Sequence, residues 1–181
     1  ELSIPAKAYD TEHFFTGRGE VQEFFDGKKT YLMETFYRHM RKRHKELLQS
    51  PGKPEGETWH FDTSNRNKRP KVHQPPEPVR FHHNYHDLLH LLEECGVDTF
   101  GKPSIEDFGW PATREESLEL LDYFVTELLP LFGVYQDAMD NNEWSLYHSR
   151  LSFSLNVKML HPMEVVRKVE HAYQRDGNVD I

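Results

Sequence analysis

A proline-rich segment in the middle of the chain limits the possible folds more than any other feature of the sequence. Six of the 11 prolines lie between residues 51 and 78. Proline lacks a backbone donor and clashes with the preceding helical turn, so no helix can run through this segment. It also contains Trp59 and Phe61, and aromatic residues in so long a loop indicate that it packs against the protein. The sequence therefore predicts a long, packed connection with a domain boundary between about Lys71 and Phe81.

The residues before this connection predict two helices. A short helix near residues 20–25 is expected to stop at Gly27. A longer helix is predicted over residues 30–48, because apolar residues recur there at three- and four-residue spacing and the basic residues lie largely off that stripe. The stripe consists of Met33, Phe36, Tyr37, Met40 and Leu47, and the basic residues are Arg38, Arg41, Lys42 and Lys45.

The residues after the connection predict a mainly α fold. A run of leucines over residues 88–92 indicates a helix that ends at Gly96. Pro162 suits the first turn of a last helix, which is expected to run through Tyr173 and to close at Gly177. No alternating strand pattern stands out anywhere in the chain.

Between these two helices, the sequence predicts a third helix that opens with a capping box. In this motif the Thr113 hydroxyl accepts from the Glu116 amide while the Glu116 side chain reaches back. The helix is expected to end near Pro130 and Gly133. Its predicted buried face consists of Leu118, Leu121, Phe124, Val125 and Leu128.

Composition narrows the class of protein. Aromatic residues make up 13% of the chain but hydrophobic residues only 36%. This composition favours a folded segment that packs against surfaces outside these residues. The single Cys95 excludes an internal disulfide framework and any cysteine-ligated cluster confined to these residues. No targeting segment and no run of 18 apolar residues is present, so a soluble, cytoplasmic protein without membrane contact is expected. The sequence starts at Glu1 and not at a methionine, so we expect the chain to be part of a longer polypeptide.

Charge is unevenly distributed along the chain. Residues 28–71 hold 12 of the 22 Lys and Arg residues and five of the 30 acids, a local charge of +7 in a chain of net charge −8. Such asymmetry is typical of a surface that faces a polyanion. A solvated basic helix face is the open alternative, because a run of charges rarely specifies a partner.

A polar cluster near the last helix offers groups that suit a phosphate. His148, Ser149, Ser152 and Ser154 lie within seven residues, beside Arg150. Hydroxyls, free amides near a helix start and a guanidinium are the groups that bind phosphate or pyrophosphate. From the residues alone this signal is weak, and ordinary helix-capping serines with a surface arginine are the favoured explanation.

A second cluster contains histidines at helical spacing. If residues 82–90 are helical, His82, His86 and His90 share one face and could bind Zn²⁺. No carboxylate or cysteine is placed as a fourth ligand, so we predict a solvated or stacked histidine face and no metal site. Neither a nucleophile elbow nor an oxyanion-hole pattern surrounds the serines. We therefore assign no catalytic residue within the chain.

Several blocks, in order over about 150 residues, resemble the bacterial photolyase-related family. The flavin-phosphate loop of photolyases and cryptochromes reads Thr-Ser-x-Leu-Ser, and here it stands as His148-Ser149-Arg150-Leu151-Ser152. Tyr135 occupies the place of a tyrosine that touches the phosphate and ribose side of the flavin in that family. The other blocks are Met33-Glu34-x-Phe36-Tyr37-Arg38-x-Met40-Arg41, Lys53-Pro54-x-Gly56, Trp59-x-Phe61-Asp62, Asn65-Arg66, Trp110-Pro111-x-Thr113-Arg114 and Tyr135-Gln136-Asp137-Ala138-Met139.

The sequence departs from the family pattern at three positions. Phe153 and Lys158 replace a proline and a glycine expected in the flavin loop, and His161 stands where a serine cap is common before Pro162. Lys158 is expected to alter how closely the backbone approaches the cofactor.

The resemblance implies a two-domain flavoprotein of which this chain is a part. Residues 1–71 would be the tail of an α/β antenna domain and the interdomain loop, and residues 72–181 the start of a helical FAD-binding domain. FAD would contact Tyr135 and residues 148–152. A lumazine antenna and a [4Fe-4S] cluster are expected in the complete protein, with their ligands outside this chain.

The implied activity is that of a DNA photolyase, a carbon–carbon lyase that repairs ultraviolet pyrimidine photoproducts, favouring the (6-4) type, by light-driven electron transfer to a flipped lesion. The partners would be ultraviolet-damaged DNA and the remainder of the polypeptide, and this chain alone would be inactive. Arg66, Lys68 and Arg69, with Lys71 beside them, are predicted to contact DNA phosphates, while Trp59 and Phe61 anchor their loop.

Two alternatives of different class stay open from the sequence. One is a cryptochrome-like blue-light photoreceptor that signals without repair. The other is a flavin-free helical module that binds nucleic acid through residues 28–71.

Overall fold

A computed structural model describes residues 4–50, 52–61, 65–70, 74–101, 104, 108–177 and 179. The helices are α1 (Glu20–Phe24), α2 (Met33–His44), α3 (His86–Glu94), α4 (Arg114–Tyr123), α5 (Leu129–Tyr135), α6 (Ser152–Asn156) and α7 (Pro162–Arg175). A 3₁₀ turn occupies Glu55–Glu57 and a π-helical segment Phe124–Leu128. Strands β1 (Leu48–Ser50) and β2 (Lys53–Pro54) form a small antiparallel pair. The predicted mainly α class is confirmed.

The helices that local signals predict are present. Helix α1 lies where it was predicted, and α3 ends just before Gly96, which has a φ of 61°. Helix α7 begins at Pro162 and runs two residues past the predicted end. The capping box at the start of α4 is formed, with the Glu116 amide donating to Thr113 Oγ1 over 3.2 Å. Capping signals are local, which is why sequence locates these ends well.

The predicted end of the central helix near Pro130 is wrong. Helix α4 passes into the π-helical segment Phe124–Leu128, and α5 continues the helical path to Tyr135, with Gly133 inside it. Pro130 lies in the first turn of α5, directly after the π-helical segment, so the proline without a backbone N–H coincides with a change in helical hydrogen bonding. The wide π turn before it accommodates the proline ring, which would clash in a regular helix.

The main core lies in the second half of the chain. Leu120, Leu121 and Leu128 are almost completely buried against Tyr147 and Leu160. Leu118 and Val125, predicted to be buried, are only half-buried at the edge of this cluster. Among residues 4–70 that the structure describes, only Phe25, Arg41 and Pro54 are buried. The low aliphatic content of the chain therefore corresponds to a first half with little core of its own.

The predicted apolar stripe of α2 is partly wrong. Met33 is 76% exposed, Leu47 lies beyond the helix, and Arg41 is buried although it was expected off the stripe. The Arg41 guanidinium donates to Leu47 O at 2.7 Å, to Tyr37 Oη at 3.2 Å and to Glu46 O at 3.3 Å. A guanidinium has five donors, and Arg41 uses them to cap carbonyls beyond the end of the helix. Its burial therefore follows from hydrogen bonding.

The turn after α2 joins the two halves of the chain through α7. The Leu47 amide donates to Glu170 Oε1 at 3.1 Å, and Tyr173 Oη donates to Glu55 Oε1 at 3.3 Å. The Glu46 carboxyl also contacts Glu170. Burial, followed by the hydrogen bond and the charge of Glu170, raises the pKa of Glu46 from 4.5 to about 7, against the opposing effect of Arg167.

This carboxyl pair predicts a measurable pH dependence of stability. The folded state holds the Glu46 proton more tightly than the unfolded state, so stability is expected to fall as pH rises from about 4.5 through 7. Glu46→Gln should therefore raise the thermal midpoint at pH 8 and leave it nearly unchanged at pH 4.5. The control is Glu119→Gln on the exposed surface of α4. An equal effect of Glu46→Gln at both pH values would contradict the pairing.

Among the described residues, no helix is long and apolar enough to cross a lipid bilayer. The predicted cytoplasmic location stays a prediction. The predicted domain boundary at residues 71 and 72 falls outside the described residues, as do Asp62 and Lys71.

Candidate functional site

Tyr135 and Tyr147 stack at the centre of the predicted flavin region. Tyr135 is the last residue of α5, and its ring lies 5.3 Å from the Tyr147 ring at an interplanar angle of 30°. Tyr147 is fully buried, and that burial, with the neighbouring Tyr135, raises the pKa of its hydroxyl. Sequence reasoning missed Tyr147, although its place directly before His148 was a signal.

Residues 148–152 form a surface segment fixed by one apolar anchor. Leu151 is buried in the core, whereas His148 and Ser152 are exposed and Ser149 is half-buried. Within the described parts of the chain, none of these three polar side chains makes a side-chain hydrogen bond. The two hydroxyls and the imidazole can thus bond a ligand without breaking a contact. This donor set fits the phosphate and ribose side of FAD.

Ser154 differs from its two neighbours in the cluster. It is completely buried in α6, and its Oγ has no partner among the residues described. Its hydroxyl faces the interior, so it does not join Ser149 and Ser152 at the surface.

Arg150 connects the predicted flavin loop to residues 79–81. Its Nη1 donates to Val79 O at 2.9 Å, and its guanidinium lies 5.3 Å from the Trp110 ring and 4.9 Å from the Trp144 ring. Burial, and then the like charge of Arg80, lowers the pKa of Arg150. The hydrogen bond to Val79 O therefore occupies one edge of the Arg150 guanidinium. Its predicted contact with FAD stays a prediction.

The three departures from the family pattern have structural roles. The Phe153 ring stacks on Trp110 at 5.5 Å with an angle of 22°. Lys158 has a φ of 64°, the left-handed conformation that glycine adopts without cost and other residues adopt at about 1–2 kcal/mol. The backbone thus keeps a glycine-like path at Lys158. His161 caps α7 by accepting from the Met163 amide at Nδ1 over 3.1 Å, so it performs the role of the expected serine.

The loop over residues 65–70 docks beside Tyr135. The Asn67 amide donates to Val134 O at 3.3 Å, and the Asp137 amide donates to Asn65 O at 3.1 Å. Asn65 Nδ2 also donates to Asp137 Oδ2 at 3.0 Å. Two motifs that lie about 70 residues apart in sequence are therefore brought together at the end of α5.

The three predicted DNA-binding cations of this loop differ in their surroundings. Arg69 has a side chain only 9% exposed, and it pairs with Asp140 at 2.9 Å and Glu143 at 3.5 Å. Arg66 is exposed and lies 3.7 Å from Asp137. Lys68 is exposed and has no ion pair within the described residues. The acidic residues after Tyr135 were not anticipated as partners of these cations.

Trp59 holds the earlier part of the connection against α2. Its ring lies within 5.6 Å of the charged groups of Arg38, Arg41 and Lys42. Phe61 is 42% exposed and lines a groove of about 790 Å³ between α2, α5 and α7.

The histidine face does not form. His82 precedes α3, so only His86 and His90 belong to the helix, and His90 lies 3.5 Å from Glu94. His83 Nε2 lies 3.0 Å from Glu116 Oε2 instead. Within the described residues, no group of three or more His, Cys, Asp or Glu side chains could hold a metal ion.

Comparison with known proteins gives two matches. The sequence profile of a family described as "Deoxyribodipyrimidine photo-lyase-related protein" matches residues 1–110. A protein named (6-4) photolyase from Agrobacterium fabrum (strain C58 / ATCC 33970) is 35% identical over 166 residues. The match covers 91% of this chain and 32% of that relative, so the chain spans about a third of the length of the curated relative it matches.

Proposed function

Because this chain belongs to the deoxyribodipyrimidine photo-lyase-related protein family, we propose that it is part of a light-driven, FAD-dependent DNA photolyase. We propose further that the complete protein repairs ultraviolet pyrimidine photoproducts of the (6-4) type. The 35% identity to a protein named (6-4) photolyase carries this proposal. The half-buried Ser149 and the exposed Ser152, which follow the Tyr147 that stacks on Tyr135, support it. We place residues 1–71 at the end of the antenna domain and residues 72–181 at the start of the flavin domain.

In this proposal, the residues of the chain bind and orient the cofactor. Ser149 and Ser152 donate hydrogen bonds to the FAD phosphates, His148 contributes a third polar group, and Leu151 fixes their spacing from the core. Tyr135, supported by Tyr147, contacts the ribose side. Bound FAD supplies electron transfer to the lesion after light absorption. The [4Fe-4S] cluster would be held outside this chain, because Cys95 is its single cysteine. We place the lumazine outside it as well, as the family resemblance implies.

We propose that the substrate is ultraviolet-damaged DNA, held largely through phosphates. In the loop over residues 65–70, Lys68 and the exposed Arg66 stay candidates for these contacts. Arg69 is engaged by two carboxylates, so a second role as phosphate ligand would require it to break a buried ion pair. We therefore assign Arg69 to anchoring the loop.

The direct test of the cofactor is the absorbance spectrum and the flavin content of the purified complete protein. One FAD per polypeptide, together with binding of ultraviolet-damaged DNA, is expected. A colourless protein that binds nucleic acid would favour a flavin-free helical module and contradict the proposal. Flavin without any binding of damaged DNA would favour a signalling photoreceptor.

Residues 1–181 alone are expected not to retain FAD. The proposed contacts from this chain hold one side of the cofactor, and a site is preorganised only when its supporting residues are all present. The measurement is the flavin absorbance that co-elutes with the isolated chain in gel filtration. Stoichiometric FAD on the isolated chain would contradict this expectation.

A further inference from the structure

Arg80, Trp144 and Arg150 form a surface that the sequence did not reveal, here named the arginine–tryptophan patch. The Arg80 guanidinium lies 4.5 Å from the centroid of the Trp144 ring, and the Arg150 guanidinium lies 4.9 Å from it. Trp144 is 61% exposed and Arg80 is exposed as well. Two cations thus share one aromatic ring at the surface, next to the predicted flavin loop.

The two cations of the patch lack carboxylate partners. Neither Arg80 nor Arg150 makes an ion pair within the part of the chain that the structure describes. The nearby Arg66 and Arg69, in contrast, lie against Asp137, Asp140 and Glu143. Of these four arginines, Arg80 and Arg150 are therefore the two whose charge no carboxylate offsets, and it remains available to an anion.

The patch is held in place by the backbone around it. The Phe81 amide donates to Gly109 O at 3.3 Å, and Phe81 is buried in the core. A Cβ at Gly109 would lie 3.4 Å from Arg80 Cβ and Cγ, at van der Waals contact, so Arg80 packs directly beside Gly109. Arg150 donates to Val79 O on the other side. These contacts fix the backbone next to Arg80 and the guanidinium of Arg150, which reduces the entropic cost of binding through the patch.

We infer that the arginine–tryptophan patch binds the phosphate backbone of the DNA substrate, with Arg80 as the phosphate ligand and Trp144 as its positioning residue. The inference rests on the proposed function. Guanidinium groups bind phosphates in a planar, bidentate manner, and stacking on an indole ring orients them. The exposure of Arg80 and Trp144 favours a polymer that lies across the surface.

The test compares the salt dependence of DNA binding by the complete protein and its variants. Arg80→Gln is expected to lower the slope of log affinity against log salt by about 0.9, the value for one phosphate contact, and to weaken damaged and undamaged DNA alike. Arg80→Lys keeps the charge and should preserve the slope. Trp144→Ala should weaken binding, whereas Trp144→Phe should restore most of it. Arg18→Gln, which removes an arginine paired with Asp10, is the control with an unchanged slope.

The outcomes separate this inference from the proposed function. The inference is overturned if the wild-type protein binds damaged DNA but Arg80→Gln leaves the slope of log affinity against log salt unchanged. That result leaves the proposed function standing. Loss of FAD from Arg80→Gln with normal salt dependence would assign the patch to the cofactor phosphates and also overturn it. Wild-type protein that does not bind DNA would contradict the proposed function and the inference together.

Discussion

Replacing Ser149 and Ser152 together by alanine is expected to release most of the FAD from the complete protein. Both side chains reach the surface without a hydrogen-bond partner among the described residues. In the proposed complex they donate to charged phosphate oxygens, and two such bonds contribute roughly 3–6 kcal/mol. FAD affinity should therefore fall by roughly two to four orders of magnitude.

The measurement is the ratio of flavin to protein after gel filtration. Ser154→Ala is the matched control, because Ser154 lies in the same helix as Ser152 but is buried, and its Oγ has no hydrogen-bond partner among the described residues. It should keep its flavin. Full flavin occupancy in the Ser149→Ala, Ser152→Ala variant would rule out the proposed phosphate site.

Leu121→Ala is expected to destabilise the protein by about 2–5 kcal/mol. Leu121 lies in α4 and is completely buried against the other core residues of the second half. The substitution therefore leaves a cavity that rigid neighbours cannot fill. The measurement is the midpoint of urea unfolding followed by circular dichroism. Leu91→Ala on α3 is the control, since Leu91 is 52% exposed. Equal shifts for the two variants would show that the core is elsewhere.

Features set by short-range chemistry could be predicted from the sequence. The capping box of α4 and the proline at the start of α7 depend on residues within one turn of each other. The end of α3 at Gly96 depends on the left-handed conformation of that glycine.

Features set by contacts between distant residues could not be predicted. Arg41 is buried because it donates to two carbonyls beyond its helix, Glu46 O and Leu47 O, and to Tyr37 Oη within it, and a periodic pattern of apolar residues carries no sign of these acceptors. The β1–β2 pair is too short to show an alternating pattern. Pro130 predicts a helix end because the sequence does not reveal the π-helical segment that precedes it.

The candidate site shows the same division. The residues of the predicted flavin loop were chosen for their resemblance to a family motif, and the buried Leu151 anchors that polar segment to the core. The pairing of Arg69 with Asp140 joins residues 71 positions apart, and local sequence does not reveal it. The convergence of Arg80 and Arg150 on Trp144 is likewise visible only in three dimensions.

Light-driven repair by the complete protein tests the central proposal most directly. An oligonucleotide with a single (6-4) photoproduct would be incubated with the reduced protein in blue light and in darkness. The damaged and the repaired strands would then be separated by chromatography. The proposal predicts restoration of the original pyrimidines in light, none in darkness, and a strongly reduced yield for the Ser149→Ala, Ser152→Ala variant. A flavin-loaded protein that binds the damaged strand yet leaves it unchanged in light would contradict the proposed photolyase activity.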